Sequence, residues 1–233
     1  IINDKIAHAY IFTGPRGTGK TSTAKIFARA LNCLNPQNGI SCGVCENCKN
    51  FNQSPDIIEL DAASNNSVDD IRNIVDSVNI APTNSKYKIY IIDEVHMLST
   101  SAWNAFLKTL EEPPHNVIFI LATTEIQKVP ITVLSRCQRF DFQRIDKTEI
   151  TEHLKKICEE ENIKSEDDVL AEIAFLSDGC MRDALSILDQ LSKISEEINI
   201  DVLKQNYGTI TDDDIEELYV SILHNNLDNL FTK

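Results

Sequence analysis

The chain has 233 residues, 42% hydrophobic and 25% charged, with only 7 Gly and 7 Pro. That length and composition suit one large globular domain with one or two small ones, and exclude a disordered or fibrous chain. No apolar run approaches the roughly 18 to 20 residues of a membrane-spanning helix, and no signal peptide is visible. The formal net charge of −14 speaks against a free-standing high-affinity DNA binder, which needs a basic patch. It leaves DNA contact within an assembly open.

The charge is unevenly spread. Residues 1–145 carry 14 Lys+Arg and 14 Asp+Glu; residues 146–233 carry 8 and 22. A break of that kind places a domain boundary near Asp146, with a solvated, acidic helical surface beyond it. Seven cysteines, at 33, 42, 45, 48, 137, 158 and 180, with no secretion signal, point to a reducing, cytoplasmic setting. The chain opens Ile-Ile-Asn-Asp-Lys without methionine and is expected to be part of something longer.

In chain order, Ala9–Gly14 reads as a buried strand ending in a glycine turn, and residues 20–32 as a helix. Residues 33–50 form an irregular insert rich in Cys, Asn and Gly. Asp56–Asp61 is a second strand. Val68, Ile71, Ile74, Val75 and Val78 recur at helical spacing behind Ser67, Asp69 and Asp70. Lys88–Asp93 is a third strand, continuously apolar as in a parallel sheet covered on both faces. Trp103, Phe106, Leu107 and Leu110 mark a helix that Pro113-Pro114 ends. Asn116–Thr123 is a fourth strand and Gln138–Phe142 a fifth, at an edge. Beyond Asp146 the strands are expected to stop: 147–161, 167–176, 181–192 and 200–207 read as amphipathic helices, and another starts at Asp212. Alternating strands and helices followed by helices alone predict a parallel α/β domain and a small helical one.

Gly14-Pro15-Arg16-Gly17-Thr18-Gly19-Lys20-Thr21 fits G-x-x-x-x-G-K-[ST] at every fixed position, between a predicted strand and a predicted helix. Such a loop wraps phosphates with its backbone N–H groups, and the helix presents its positive end to them. Lys20 is expected to reach the β- and γ-phosphates of ATP, Thr21 to ligate Mg²⁺, and Gly14, Gly17, Thr18, Gly19 and Ser22 to complete the nucleotide site. Ile89-Tyr90-Ile91-Ile92-Asp93-Glu94 supplies the acidic half: Asp93 for the metal, Glu94 to polarise the attacking water. His96 reads as a helix-start or packing residue. Thr123 or Thr124, at the end of the fourth strand, is a candidate γ-phosphate sensor, although threonine is also a good strand residue.

Cys33-x8-Cys42-x2-Cys45-x2-Cys48 brings four thiolates into a short polar stretch and predicts a closed structural Zn²⁺ site. Iron–sulfur ligation is the rival. Position 52 is Asn, so the ferredoxin continuation C-x3-C-P is missing. The metal's expected role is to fold an insert with too few apolar residues to hold itself.

The stretches "HAYIFTGPRGTGKTSTAKIFARALNC", "CGVCENC", "IIELDAAS", "IYIIDEVHMLS", "AFLKTLEEPP", "FILATTE", "LSRCQRF" and "GCMRDALSILDQ" resemble the ATPase subunits of the bacterial clamp loader, the DNA polymerase III gamma/tau family within the AAA+ superfamily. The resemblance runs from about residue 8 to 190. It implies an AAA+ P-loop ATPase domain over 1–145, a helical lid over 146–210 and the beginning of a collar over 211–233. It implies an ATP-driven motor that loads the sliding clamp on primed-template DNA, in a hetero-pentamer, in the cytoplasm and at the nucleoid. Polymerase core and helicase are further partners, through a C-terminal part not in this sequence. Arg136 is implied as an arginine finger toward the ATP of the next subunit, and is therefore expected to lack a partner in its own chain. Arg182 is implied as a second sensor. Ser64-Asn65-Asn66-Ser67 matches a DNA-tracking helix start, but here carries no basic residue. The family also has a segment before Ile1 that helps hold adenine and a complete collar after about residue 210. Without them the chain as given is expected to bind nucleotide weakly and to assemble little. Other readings are a delta-prime-like subunit, which often has a degenerate phosphate loop; a branch-migration ATPase, which lacks the four-cysteine insert; and a non-enzymatic zinc-stabilised module.

Overall fold

The computed structural model describes residues 6–65, 67–208 and 219. The chain falls into two compact units that change over between Arg144 and Ile145.

The first unit is built on strands β1 (Ala9–Thr13), β2 (Ile57–Asp61), β3 (Lys88–Asp93), β4 (Val117–Thr123) and β5 (Gln138–Asp141), in the order β2-β3-β4-β1-β5. Every neighbouring pair is parallel. The three inner strands are buried along nearly their whole length, because side chains alternate between two covered faces. Ile11, Tyr90, Ile92, Phe119 and Leu121 face one core, and Tyr10, Phe12, Ile89, Ile91 and Ile120 face the other. That is why these strands read as unbroken apolar runs. β5, exposed at every residue, is the predicted edge.

Helix α1 (Lys20–Leu31) covers one face through Ala24, Ala28 and Leu31. Within the insert lies one four-residue helix, α2 (Glu46–Lys49). The other face is covered by α3 (Val68–Val78) and α4 (Thr100–Glu111), whose Ile71, Ile74, Trp103, Phe106 and Leu110 enter the core. Phe106 meets Phe119 edge to face at 4.9 Å. α3 begins with a capping box: the Ser67 hydroxyl accepts the Asp70 N–H, and the Asp70 carboxylate accepts the Ser67 N–H, both at 3.2 Å. A short helix, α5 (Ile131–Leu134), leads into β5.

The second unit contains α6 (Lys147–Glu161), α7 (Asp167–Leu176), α8 (Met181–Ile194) and α9 (Ile200–Tyr207), packed through Leu154, Ile173, Leu188 and Leu203. The expectation that strands stop after Asp146 is corrected. β6 (Lys164–Ser165) and β7 (Glu197–Ile198) form a parallel pair, whose crossover is supplied by α7 and α8. Two-residue strands are too short for a periodic signal. The predicted helix from Asp212 and the collar 211–233 lie outside the described residues, Tyr219 apart.

Candidate active site and cysteine cluster

All five strands run the same way, so their C-terminal ends share one edge of the sheet, where ligands of such sheets bind. The phosphate loop leaves β1 there. Gly14 has φ 146°, and a Cβ at this position would lie 2.2 Å from the Phe142 carbonyl oxygen, so no other residue fits. Gly17 (φ 69°) and Gly19 (φ 88°) are also left-handed, which turns the loop into a concavity. Thr18 is buried and its hydroxyl donates to the Pro15 carbonyl at 2.9 Å. Gly19 caps α1 with no side-chain hydrogen bond, and no acid lies in the first turn. The positive helix end is therefore left for an anion. Ser22 is exposed in that turn. Lys20 is buried, and its ammonium curls onto the loop, donating to Gly14 O at 2.9 Å and Pro15 O at 2.7 Å.

The acidic pair arrives from β3. The Thr21 hydroxyl donates to Asp93 Oδ2 at 2.5 Å across 72 residues of sequence. The other Asp93 oxygen accepts the Glu94 N–H at 2.9 Å. Two hard oxygen donors side by side at the mouth of the loop suit Mg²⁺. Glu94 takes a left-handed conformation, φ 48°, which turns the chain off the strand into a 3-10 turn, Val95–Met97. Its Oε2 accepts the Thr124 hydroxyl at 3.2 Å. Thr123 is fully buried; its Oγ1 accepts the Glu125 N–H at 3.0 Å and lies 3.1 Å from His96 Nδ1. The two candidate sensors are thus joined to the acidic pair in different ways: Thr124 directly, Thr123 through His96. Packing alone does not describe His96, whose nitrogens also face Glu94 and Glu125. The spacing Asp93-Glu94-Val95-His96 was the available signal for it.

Arg136 lies between α5 and β5. The expectation that it lacks a partner in its own chain is corrected: Nη2 pairs with Glu111 Oε1 at 2.8 Å, and Nη1 donates to Thr132 O at 2.5 Å. The end of α4, 25 residues away in sequence, delivers a carboxylate that sequence neighbours did not reveal. Arg182 is exposed in the first turn of α8, after the left-handed Gly179. At the candidate DNA loop, Ser64 and Asn65 fold back on Asp61, and the capping box at Ser67 already occupies donors at the start of α3. Asn66 lies outside the described residues.

The four insert cysteines converge, their sulfurs all within 4.8 Å of one another. Cys33 and Cys45 are 4.0 Å apart, close to the roughly 3.8 Å between sulfurs held about 2.3 Å from a tetrahedral Zn²⁺. All seven cysteines are free thiols. A backbone N–H from Leu34, the largest influence, helps bring Cys45 down to about 6. Burial, then the neighbouring Cys45, pushes Cys48 up to about 11. The donor set fits zinc.

A family model described as "DNA polymerase III, delta subunit" matches residues 1–146. One described as "DNA polymerase III clamp loader subunit, ATPase lid domain" matches residues 149–196. DNA polymerase III subunit tau of Bacillus subtilis (strain 168) is 50% identical over 229 residues, 97% of this chain and 40% of that protein. Its counterpart in Escherichia coli (strain K12) is 43% identical over 225 residues, 95% and 35% of the two chains. The chain therefore spans less than half the length of these relatives. Among solved structures, the Thermotoga maritima RuvB Holliday junction branch migration motor aligns with a TM-score of 0.62 at 19% identity, over 91% of this chain and 65% of that one. That likeness carries the AAA+ P-loop fold alone.

Proposed function

The chain belongs to the family of DNA polymerase III clamp-loader subunits, and we propose that it is an ATP-hydrolysing motor subunit that loads the sliding clamp on primed-template DNA. The observation that carries this reading is the Thr21–Asp93 hydrogen bond of 2.5 Å, which ties an intact phosphate loop to the acidic end of β3 with Glu94 next to it. A subunit that had given up hydrolysis, as in a delta-prime-like or purely structural role, has no need of that arrangement. The domains are an ATPase domain to residue 145 with its insert at 33–50, a lid to 210 and a collar beyond.

In this reading the loop N–H groups and the start of α1 hold the phosphates. Lys20 exchanges its two loop carbonyls for phosphate oxygens. Thr21 and Asp93 hold Mg²⁺, which when bound offsets charge on the β- and γ-phosphates. Glu94 orients the attacking water. Thr123 or Thr124 senses the γ-phosphate, and Arg182 acts from the lid. Arg136 leaves Glu111 and serves the ATP of a neighbouring subunit. Cys33, Cys42, Cys45 and Cys48 hold Zn²⁺, which supplies fold rather than chemistry. Other clamp-loader subunits, the clamp, DNA, polymerase core and helicase are its partners, at the nucleoid in the cytoplasm. With acids and capping hydroxyls at the start of α3, the 64–67 loop contributes little to DNA binding beyond neutral hydrogen bonds.

The test is steady-state ATP hydrolysis by the full-length protein assembled with its partner subunits. Clamp plus primed DNA should stimulate turnover, and Glu94→Gln should bind ATP yet abolish it. Turnover indifferent to clamp and primer would sink the reading.

A further inference from the structure

The His96 ring lies between the ends of β3 and β4, its side chain only 8% exposed. Three polar groups surround it. Nε2 is 3.3 Å from Glu125 Oε1. Nδ1 is 3.1 Å from Thr123 Oγ1 and 3.3 Å from Glu94 Oε2. Thr123 Oγ1 in turn accepts the Glu125 N–H.

The hydrogen positions follow from what each group can do. Lys128 bonds Glu125 at 2.8 Å and is the main cause of a carboxyl held below its ordinary value. Ionised, Glu125 only accepts, so Nε2 carries a hydrogen toward it. Thr123 already receives one hydrogen bond from a backbone donor and has its own hydroxyl hydrogen to give. Nδ1 is the acceptor within reach. The ring is thereby fixed at both nitrogens. Accepting from Thr123, Nδ1 has no hydrogen for Glu94 Oε2 at 3.3 Å, so the two lone-pair atoms repel and Oε2 is left to the Thr124 hydroxyl. Among the described residues nothing bonds Glu94 Oε1, the oxygen left to face a water.

We propose that His96 is a positioning residue for hydrolysis: anchored on Glu125 and Thr123, it presents the lone-pair edge of Nδ1 to Glu94 Oε2 and so keeps that oxygen turned to the Thr124 hydroxyl. This rests on the ATPase reading above. A change at Thr123, such as a new acceptor for its hydroxyl, frees Nδ1 and alters what restrains Glu94 Oε2. The β4 terminus and the water-polarising carboxylate are then linked through one ring. The role differs from packing in what it demands: a polar atom at the Nδ1 place, not merely ring volume.

The test uses the full-length protein assembled with its partner subunits. Asparagine places a polar atom where Nδ1 sits, glutamine where Nε2 sits, and phenylalanine keeps the volume with neither. His96→Phe should lower kcat about 10- to 100-fold, the scale of a misplaced catalytic group, with the Kd for a fluorescent ATP analogue unchanged. His96→Asn should recover most of the rate, and His96→Gln less. Phenylalanine equal to or better than asparagine would overturn the proposal. So would variants that lose nucleotide affinity and melting temperature in step with rate. Glu94→Gln runs alongside. If it turned over ATP like the wild type, the ATPase reading itself would fall, and His96 with it. If it is inactive while the three His96 variants are alike, His96 alone is overturned.

Discussion

Replacing Arg136 by alanine separates two accounts of that residue by a wide margin. Its cis partner is Glu111, at 2.8 Å, with the two side chains 33% and 51% exposed. An ion pair that open to solvent contributes about 0.2 to 1 kcal/mol, at most roughly fivefold in an equilibrium. If the pair is all that Arg136 does, Arg136→Ala should cost no more than that, and the loss should show as stability. The Thr132 carbonyl it releases is at the surface and can turn to water. If Arg136 instead serves ATP on a neighbouring subunit, its loss removes charge stabilisation of the order of 10³ to 10⁵ in turnover. Arg136→Lys should be nearly as poor, because an ammonium cannot reproduce the planar guanidinium fork. Glu111→Gln breaks the same cis pair yet leaves the arginine, so turnover should stay within about fivefold of wild type. The assay is ATPase rate of the assembled complex with clamp and primed DNA, beside melting temperature. Arg136→Ala within fivefold of wild type, or Glu111→Gln falling as far as Arg136→Ala, would refute the finger.

Gly14→Ala should abolish ATP-analogue binding and lower the melting temperature, because the new Cβ meets a backbone oxygen at 2.2 Å; equilibrium binding and calorimetry check both. The purified protein should release zinc on thiol modification, and chelation should raise proteolysis within residues 33–50 before the sheet opens, read by metal assay and limited digestion. Asp56, buried, accepts backbone N–H groups from Thr83, Asn84 and Ser85 at 2.7 to 3.0 Å. Burial opposes its charge, yet those bonds outweigh it and hold its carboxyl below the ordinary value. Its contribution is therefore complete above the usual carboxylate pKa of about 4 and lost as pH falls through the lower folded value. Asp56→Asn should cost about 1 to 3 kcal/mol at pH 7 and flatten the acid side of the stability profile in urea unfolding; parallel profiles would contradict it.

What was legible in the sequence was contiguous. The phosphate loop, the acidic end of β3 and the cysteine spacing each lie within a short run, and the inner strands announce themselves because both faces are covered. What was hidden joins distant elements. Glu111 ends one helix and Arg136 follows another, so no local pattern pairs them. His96 read as packing because only the parallel run of β3 beside β4 brings its ring to Thr123 and Glu125. β6 and β7 escaped because two residues have no period.

The contacts that stayed hidden are of two physical kinds, and the difference bears on mechanism. Thr21, Asp93, Thr123 and His96 meet where β3 and β4 end beside α1, Thr123 fully buried and the other three partly buried, and leaving a buried polar group unpaired there costs about 1 to 3 kcal/mol. Such groups hold their places whether or not a partner subunit is present. The Arg136–Glu111 pair stands in solvent at the edge of the same sheet and dissolves for about 1 kcal/mol or less. If the chain works in a motor assembled from several chains, it needs both: a fixed internal set where water and phosphate meet, and an arginine that a neighbouring phosphate can take from its own chain. The edge position of β5 and the exposure of Arg136 meet the second requirement, as the burial of β4 meets the first.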